Sequence, residues 1–391
     1  MLEKSITLKK HEDKRIAAGH LWAFSNEIQE VRGNPQAGDI VELKNQAGAF
    51  LGIGFYNPQS LIAVRIISRQ EEQVDFAFFR RRIEAALALR KKMYPISETF
   101  RLVHGEGDYL PGLVIDKYGD YISIQTFSYG MDQRLSVICD VLESLFHVKG
   151  IVERNETTMR TYEGLPQEKG IVRGSLDAVT ISEYGIEYGV DLLEGQKTGF
   201  FLDQRENRFA LRRYVNGGKV LDCFCNDGGF ALNAAVGEAS SVVGVDVSDP
   251  AIQRAKRNAA MNHLDQSVQF VTADVFEFLK ETANSGRKFD AVVLDPPSFA
   301  KSRKTVKKAK RGYKEIHALA FQVLASGGIL ATASCSHHIF EETFIEIISQ
   351  CASEAGRQIS RLEWHGAAPD HPVLPAMPET QYLKFGIFHV E

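Results

Sequence analysis

The sequence predicts an α/β protein in which a doubly wound, mostly parallel sheet is preceded by two smaller strand-rich modules. Three observations predict it. Beyond residue 200, short apolar runs that end in an acid alternate with amphipathic stretches at helical spacing. Before that point glycine-rich strand candidates dominate, with only two longer helical patterns among them. The length, 391 residues, exceeds one ordinary domain, and a composition 44% hydrophobic and 25% charged suits a chain with more than one core.

In order along the chain, GHLWAFSNEI, AGDIVEL, LKNQAGAFLGIGFYNP and SLIAVRIIS read as strands and turns, the last two punctuated by Asn57-Pro58. A helix follows over 74–93, its arginines and lysines set between apolar residues, and Pro95 stops it. From 98 to 190 strands return around a helix near 131–147, and Gly105, Gly107, Gly112 and Gly119 serve turns, since no helix follows them directly. Then come a helix at DQRENRFALRRYV, strand KVLDCFC, helix GGFALNAAVG, strand SVVGVDV and helix PAIQRAKRNAAMN. Strand VQFVTAD, helix VFEFLKET, strand FDAVVLD, a helix over 312–325 and strand GILATAS complete the series. The divisions expected are 1–72, 73–190 and 191–391.

Forty-six basic residues against 50 acidic ones give a net charge of -4, which excludes a protein that coats nucleic acid indiscriminately but leaves room for a local basic patch. Five cysteines in a chain this long do not form a secreted disulfide framework. The opening MLEKSITLKKHEDKRI has no apolar signal core, and no apolar run is long enough to span a bilayer. A cytoplasmic location, away from membranes, is the expectation.

Ligands of such sheets bind outside the carboxyl ends of the strands. Asp222, Asp246, Asp274 and Asp295 all fall there. Asp222 precedes a turn, Asn226-Asp227-Gly228-Gly229, that opens a helix, and Cys225 lines that loop. Asp246, followed by Val247, ends the next strand 24 residues beyond Asp222, roughly the distance at which an acid commonly holds a ribose diol. Each acid alone is either a cap or a ligand group; four at successive strand ends favour the ligand. The glycines are not GxGxxG and no GKT or GKS holds a triphosphate, while a sulfonium gains from nearby carboxylates. S-adenosylmethionine is the cofactor this implies. Asp274 would accept from an adenine amino group, cap its helix, or do both, with the Val275 amide as a second adenine partner. Lys197, Thr198, Phe201, Asp203 and Arg205 either close over the methionine part or pack and cap a domain junction.

At the reacting end, LDPPS follows the fourth strand. Two prolines without amide protons leave the Asp295 and Pro296 carbonyls free to face a base, with Phe299 near enough to stack; an ordinary strand stop is the plain alternative. Cys335 follows the fifth strand and lands on the same edge. A thiolate that adds to C6 of a pyrimidine makes C5 able to take a methyl group, and Asp295 would manage the proton at N3. A free cysteine is as often a small core residue. The serines around Cys335 and His337–His338 favour a polar setting. Cys223 reads as core, Cys139 and Cys351 as helix packing, and no zinc ligand spacing is present. The run KSRKTVKKAKRGYK, 301–314, carries eight Lys or Arg and no acid. It is either solvated surface or a loop that meets phosphates, and Tyr313 either stacks or packs.

LDCFCNDGGFALNAA, GVDVS, NAAMNHL, VVLDPPSFAKS and SCSHH resemble the large-subunit ribosomal RNA cytosine-5 methyltransferases with an amino-terminal PUA domain, over essentially the whole chain. The resemblance implies a PUA barrel over 1–72, a central α+β domain over 73–190 and a class I, Rossmann-like methyltransferase domain over 191–391. It implies that the four aspartates line the S-adenosylmethionine site, that Cys335 is the nucleophile, and that basic residues such as Lys14 and Arg15 grip folded RNA. The substrate would be 23S ribosomal RNA or a large-subunit assembly intermediate, and the enzyme a homodimer. Related enzymes with DPP motifs methylate guanine or exocyclic amines and need no cysteine, so a guanine or adenine methyltransferase, or a non-catalytic assembly factor, is the rival. One departure stands out: Asp227 occupies a position where the resemblance implies threonine.

Overall fold

The computed structural model describes residues 3–300 and 303–391. The chain packs as two compact units, one of Met1–Ile181, Val190–Leu202 and Pro369–Thr380, the other of Ser182–Gly189, Asp203–Ala368 and Gln381–Glu391.

The first unit holds two sheets. In space the six-stranded one runs Trp22–Ala23, Val64–Ser68, Phe50–Tyr56, Ile40–Lys44, Ser5–Leu8, Ile28–Arg32. Only the Ser5–Leu8 and Ile40–Lys44 pair is parallel. Alternate residues Ile6, Leu8, Val41, Leu43, Val64 and Ile66 fill its core. Gly54 lies against the Arg65 carbonyl, where a Cβ has no room. The five-stranded sheet runs Glu168–Gly174, Gly150–Asn155, Tyr121–Thr126, Leu113–Tyr118, Thr99–His104. Helix Phe76–Met93 supplies Phe78, Phe79 and Ile83 to the core around that sheet, and helix Leu135–Leu145 supplies Ile138 and Leu142. Ile53, Phe55 and Ile67 of the first sheet join the same cluster, so one face of that sheet packs into the core around the second. The helix expected over 74–93 begins where the Asp75 carboxylate accepts the Phe78 N–H.

The second unit is built on seven strands: β1 (Lys219–Cys223), β2 (Ser241–Asp246), β3 (Val268–Thr272), β4 (Phe289–Leu294), β5 (Leu324–Ser334), β6 (Ile359–His365) and β7 (Lys384–Val390). Their spatial order is β3-β2-β1-β4-β5-β7-β6. The first five are parallel to one another, and β7 runs antiparallel to both β5 and β6. Helices α1 (Arg205–Leu211), α2 (Gly229–Val236), α3 (Asp249–Met261), α4 (Val275–Ser285), α5 (Val306–Val323) and α6 (Glu341–Glu354) accompany them. Strand order reverses between β1 and β4, which places the ligand crevice outside their carboxyl ends.

Two features depart from the sequence reading. Helix α5 starts at Val306, not near 312, so most of the basic run is helical and not a loop. Lysine, arginine and alanine are good helix formers, and Ala309, Tyr313, Ile316 and Ala320 give the segment one buried face. Lys301 and Ser302 of that run lie outside the described residues. The other departure is the ending: α6, β6 and β7 extend the sheet beyond the fifth strand that the sequence reading identified.

His317 on α5 is wholly buried. Its Nδ1 donates to the Tyr313 carbonyl at 2.6 Å, so Nε2 accepts from Thr332 Oγ1 at 3.0 Å, the pattern of a neutral ring. Burial pushes its pKa down to about 4. The unfolded chain takes up a proton near pH 6.5 that the folded one refuses, so the folded state loses stability as pH falls from there to about 4, by roughly 3 kcal/mol in all. Chemical denaturation at several pH values should show H317Q lacking this part of the acid slope; an unchanged slope would place the proton elsewhere.

Candidate active site

Asp222, in β1, is fully buried. Its Oδ2 accepts the Ala231 N–H of α2 at 2.8 Å, while Oδ1 has no hydrogen-bond donor among the described residues. Burial pushes this carboxyl well above the usual range, the Ala231 N–H pulls it back, and the charges of Asp295 and Asp246 add to the rise. The chain after β1 is contorted: Phe224, Asn226 and Gly228 have φ of 63°, 44° and 85°. Two non-glycine residues in the left-handed region carry a conformational cost that tends to collect at ligand sites. Asn226 donates its N–H to Asp246 Oδ2 at 3.0 Å, which ties this loop to the end of β2, and its own Oδ1 is a buried acceptor without a donor among the described residues.

Asp246 is half-buried and also accepts the Ser248 N–H at 2.9 Å. Beside it, Val247 is 69% exposed, an apolar surface at the strand end. Asp274 caps α4 through Oδ1 alone, taking the N–H groups of Phe276 at 2.9 Å and Glu277 at 3.1 Å, so Oδ2 is left for another donor. Val275 behind it is buried. Gly228, at φ 85°, packs so closely on the Phe270 ring that a Cβ would sit 2.9 Å from it.

Three residues read from sequence as cofactor neighbours have protein partners. Asp227 is buried and its Oδ1 accepts from Arg254 Nε of α3 at 2.7 Å, while Asn258, one turn on, donates to its carbonyl at 3.0 Å. The extra acid of the turn is therefore compensated inside the protein. Removing one member of a fully buried pair costs about 3–5 kcal/mol, and the half-buried Arg254 sets the cost here toward or below the lower end. R254A should accordingly melt far below the parent, whereas R254K should fall less; equal melting temperatures for R254A and parent would show the pair to be idle. Asp203 is buried, its Oδ2 accepting from Tyr382 at 2.6 Å, and Arg205 is buried against Glu183 at 3.4 Å. Phe201 belongs to the first unit, with the Lys197 ammonium 4.3 Å over its ring. Thr198 is buried in that unit too, bonded to Asp116 and Tyr118.

At the reacting edge, Asp295 follows β4 and Cys335 follows β5, adjacent parallel strands in which Leu294 pairs with Thr332. Both residues are half-buried. The other four cysteines are buried, and all five are free thiols. Hydroxyls join the two strand ends: Ser298 Oγ lies 3.2 Å from Ser336 Oγ, and Tyr313 OH lies 2.9 Å from Ser334 Oγ and 3.1 Å from Ser336 Oγ. Tyr313 is wholly buried with its ring 4.8 Å from Phe299, so it packs under the loop and does not offer a stacking face. Burial pushes its phenol up to about 12. Lys384 on β7, which the sequence reading did not single out, donates to the carbonyls of Ser336 and Tyr382 at 2.8 Å each. The alternating pattern of KFGIFHV was the signal available for that strand.

A model of PUA-like domains matches residues 6–69, and one of S-adenosylmethionine-dependent methyltransferases matches residues 166–380. The chain is 40% identical over 390 residues to ribosomal RNA large subunit methyltransferase I of Tolumonas auensis, covering 98% of each. It is 42% identical over 390 residues to the protein of that name from Aeromonas hydrophila subsp. hydrophila, again over 98% of each. The chain belongs to the ribosomal RNA large subunit methyltransferase I family. Among solved structures, a SAM-dependent methyltransferase from Streptococcus mutans matches with TM-score 0.84 at 22% identity, over 98% of this chain and 99% of that one. A methyltransferase crystallised with SAH matches with TM-score 0.85 at 22% identity, over the full length of both. These two share the fold, a class I methyltransferase sheet preceded by a PUA-like β-domain. As a member of the ribosomal RNA large subunit methyltransferase I family, the protein is an S-adenosylmethionine-dependent methyltransferase.

The edge of the sheet fits that cofactor. Asp246 keeps lone pairs for a ribose diol, Val247 offers an apolar face to a flat ring, and Asp274 Oδ2 awaits a donor such as an adenine amino group. The buried oxygens of Asp222 and Asn226 await donors as well. No helix among the described residues is long and apolar enough to cross a membrane.

Proposed function

We propose that the protein methylates C5 of a cytosine in 23S ribosomal RNA through a covalent bond between Cys335 and C6. The observation that carries this reading is the position of Cys335: the one half-buried thiol among five, at the end of β5 and on the same edge as Asp295. The name borne by the relatives, ribosomal RNA large subunit methyltransferase I, supports the choice of RNA. When bound, S-adenosylmethionine supplies a methyl group on a sulfonium. Cys335 sulfur bonds to C6, the electrons of the C5–C6 double bond move to C5, and C5 takes the methyl group as its bond to the sulfonium sulfur breaks, leaving S-adenosylhomocysteine. Loss of the C5 proton to solvent and breakage of the S–C6 bond then restore the ring. Asp295 steadies the proton at N3. Asp222, Cys225, Asp227, Gly228, Asp246, Val247, Asp274 and Val275 form the cofactor side of this proposed site, with Asp203 and Arg205 supporting it.

Large-subunit RNA carrying 5-fluorocytosine at the target is the direct test, because the fluorine blocks the elimination that frees the enzyme. A denaturant-stable adduct on the Cys335 peptide is expected; rapid turnover without an adduct would refute the covalent route.

The three-part division at 1–72, 73–190 and 191–391 is proposed as the functional one, with the first part gripping RNA. The substrate is the RNA or a large-subunit assembly intermediate, met by a homodimer in the cytoplasm, where five free thiols stay reduced. Lys304, Lys307, Lys308 and Arg311 are exposed on and just before α5 and suit phosphate contact. Each phosphate contact adds about 0.7–0.9 to the slope of log affinity against log salt. K307Q/K308Q should therefore bind RNA with a slope smaller by about 1.5, while an unchanged slope would leave the helix as plain surface.

A further inference from the structure

Lys384 stands opposite Ser334 in the antiparallel β5–β7 register and is only 5% exposed. Its ammonium is held by the Ser336 carbonyl, directly after Cys335, and by the Tyr382 carbonyl. Those two bonds use two of its three protons. Among the described residues it has no carboxylate ion-pair partner. A buried cation held only by carbonyl dipoles is costly unless an anion is near. The anionic group nearest in the chain to those bonds is the Cys335 side chain, one residue before Ser336.

We propose that Lys384 is a positioning residue that holds Cys335 as the thiolate, its buried ammonium serving as the counter-charge to the sulfur. This rests on reading Cys335 as the nucleophile. The thiol proton leaves to solvent and Lys384 keeps its own three. The other titratable groups around this strand end are Tyr313 from α5, Asp295 at the end of β4, and His337 and His338 on the loop after Cys335. Tyr313 is neutral at working pH, and a carboxylate at Asp295 opposes a second negative charge, so neither does what Lys384 does. Burial lowers Lys384 to about 8, and a charged Cys335 opposes that shift.

The test is the pH dependence of iodoacetamide alkylation of Cys335 in the full-length protein, read on its peptide by mass spectrometry with C335S as blank. The buried cysteines contribute little while the protein is folded. An ordinary thiol titrates near about 8.5. The parent midpoint is expected at least about one unit lower, K384M should raise it by about one unit or more, and K384R should restore most of the difference. The acid limb of kcat should move with the midpoint while KM for S-adenosylmethionine stays put. An unshifted midpoint in K384M that still binds SAH overturns the proposal. If K384M does not fold, the parent decides alone: a midpoint at or above about 8.5 overturns it. Methyl transfer by C335S separates the two ideas. If C335S is active the nucleophile reading fails; if C335S is dead and K384M alkylates like the parent, only the role of Lys384 fails.

Discussion

C335S should lose methyl transfer by on the order of 10⁴-fold or more while binding S-adenosylhomocysteine with nearly parental affinity. Serine keeps the size of the side chain and its place after β5, next to the Ser334 and Ser336 hydroxyls that bond Tyr313. What it lacks is a group that ionises near neutral pH and attacks a ring carbon. Because the substitution touches no buried core atom, its effect belongs to chemistry and not to folding. Calorimetry with S-adenosylhomocysteine and a single-turnover methyl transfer assay read the two properties separately. Turnover near the parent rate would refute covalent catalysis at C6 and leave a guanine or adenine methyltransferase as the better reading.

D295N should lower kcat by roughly 10²- to 10⁴-fold, the usual contribution of a positioned acid–base group. The amide is close to isosteric, and the backbone bond from Asp295 N–H to the Cys223 carbonyl at 3.4 Å survives the change. The lost property is a carboxylate that can hold or release the N3 proton as the thiolate adds. The deficit should therefore appear in formation of the covalent adduct, with KM for the cofactor changed far less. Rapid-quench trapping of the adduct decides the point; adduct formation at the parent rate would confine Asp295 to binding.

Much of the second unit was legible because its strands are buried on both faces and read as apolar runs, each closed by an acid or a turn. The same pattern made Asp222, Asp246, Asp274, Asp295 and Cys335 conspicuous at strand ends. The ending was harder: β6 and β7 are joined to the sheet in antiparallel fashion after an irregular stretch, and such pairing over long separation leaves little local signal. The start of α5 was obscured for another reason, since a run of like charges looks like loop until its buried alanine and tyrosine face is seen.

By itself the sequence determined the order of strands and helices in the parallel sheet, the acids that close its strands, and the cysteine set among polar residues after the fifth. Those follow from local periodicity and turn chemistry, which are written in neighbouring residues. Only the tertiary structure decided that Asp227 is paired with Arg254, that Tyr313 lies buried beneath the loop, and that Lys384 bonds the Ser336 carbonyl just after Cys335. Each of those pairings joins residues from different elements, and the balance of burial against charge that selects a partner exists only once the chain has folded.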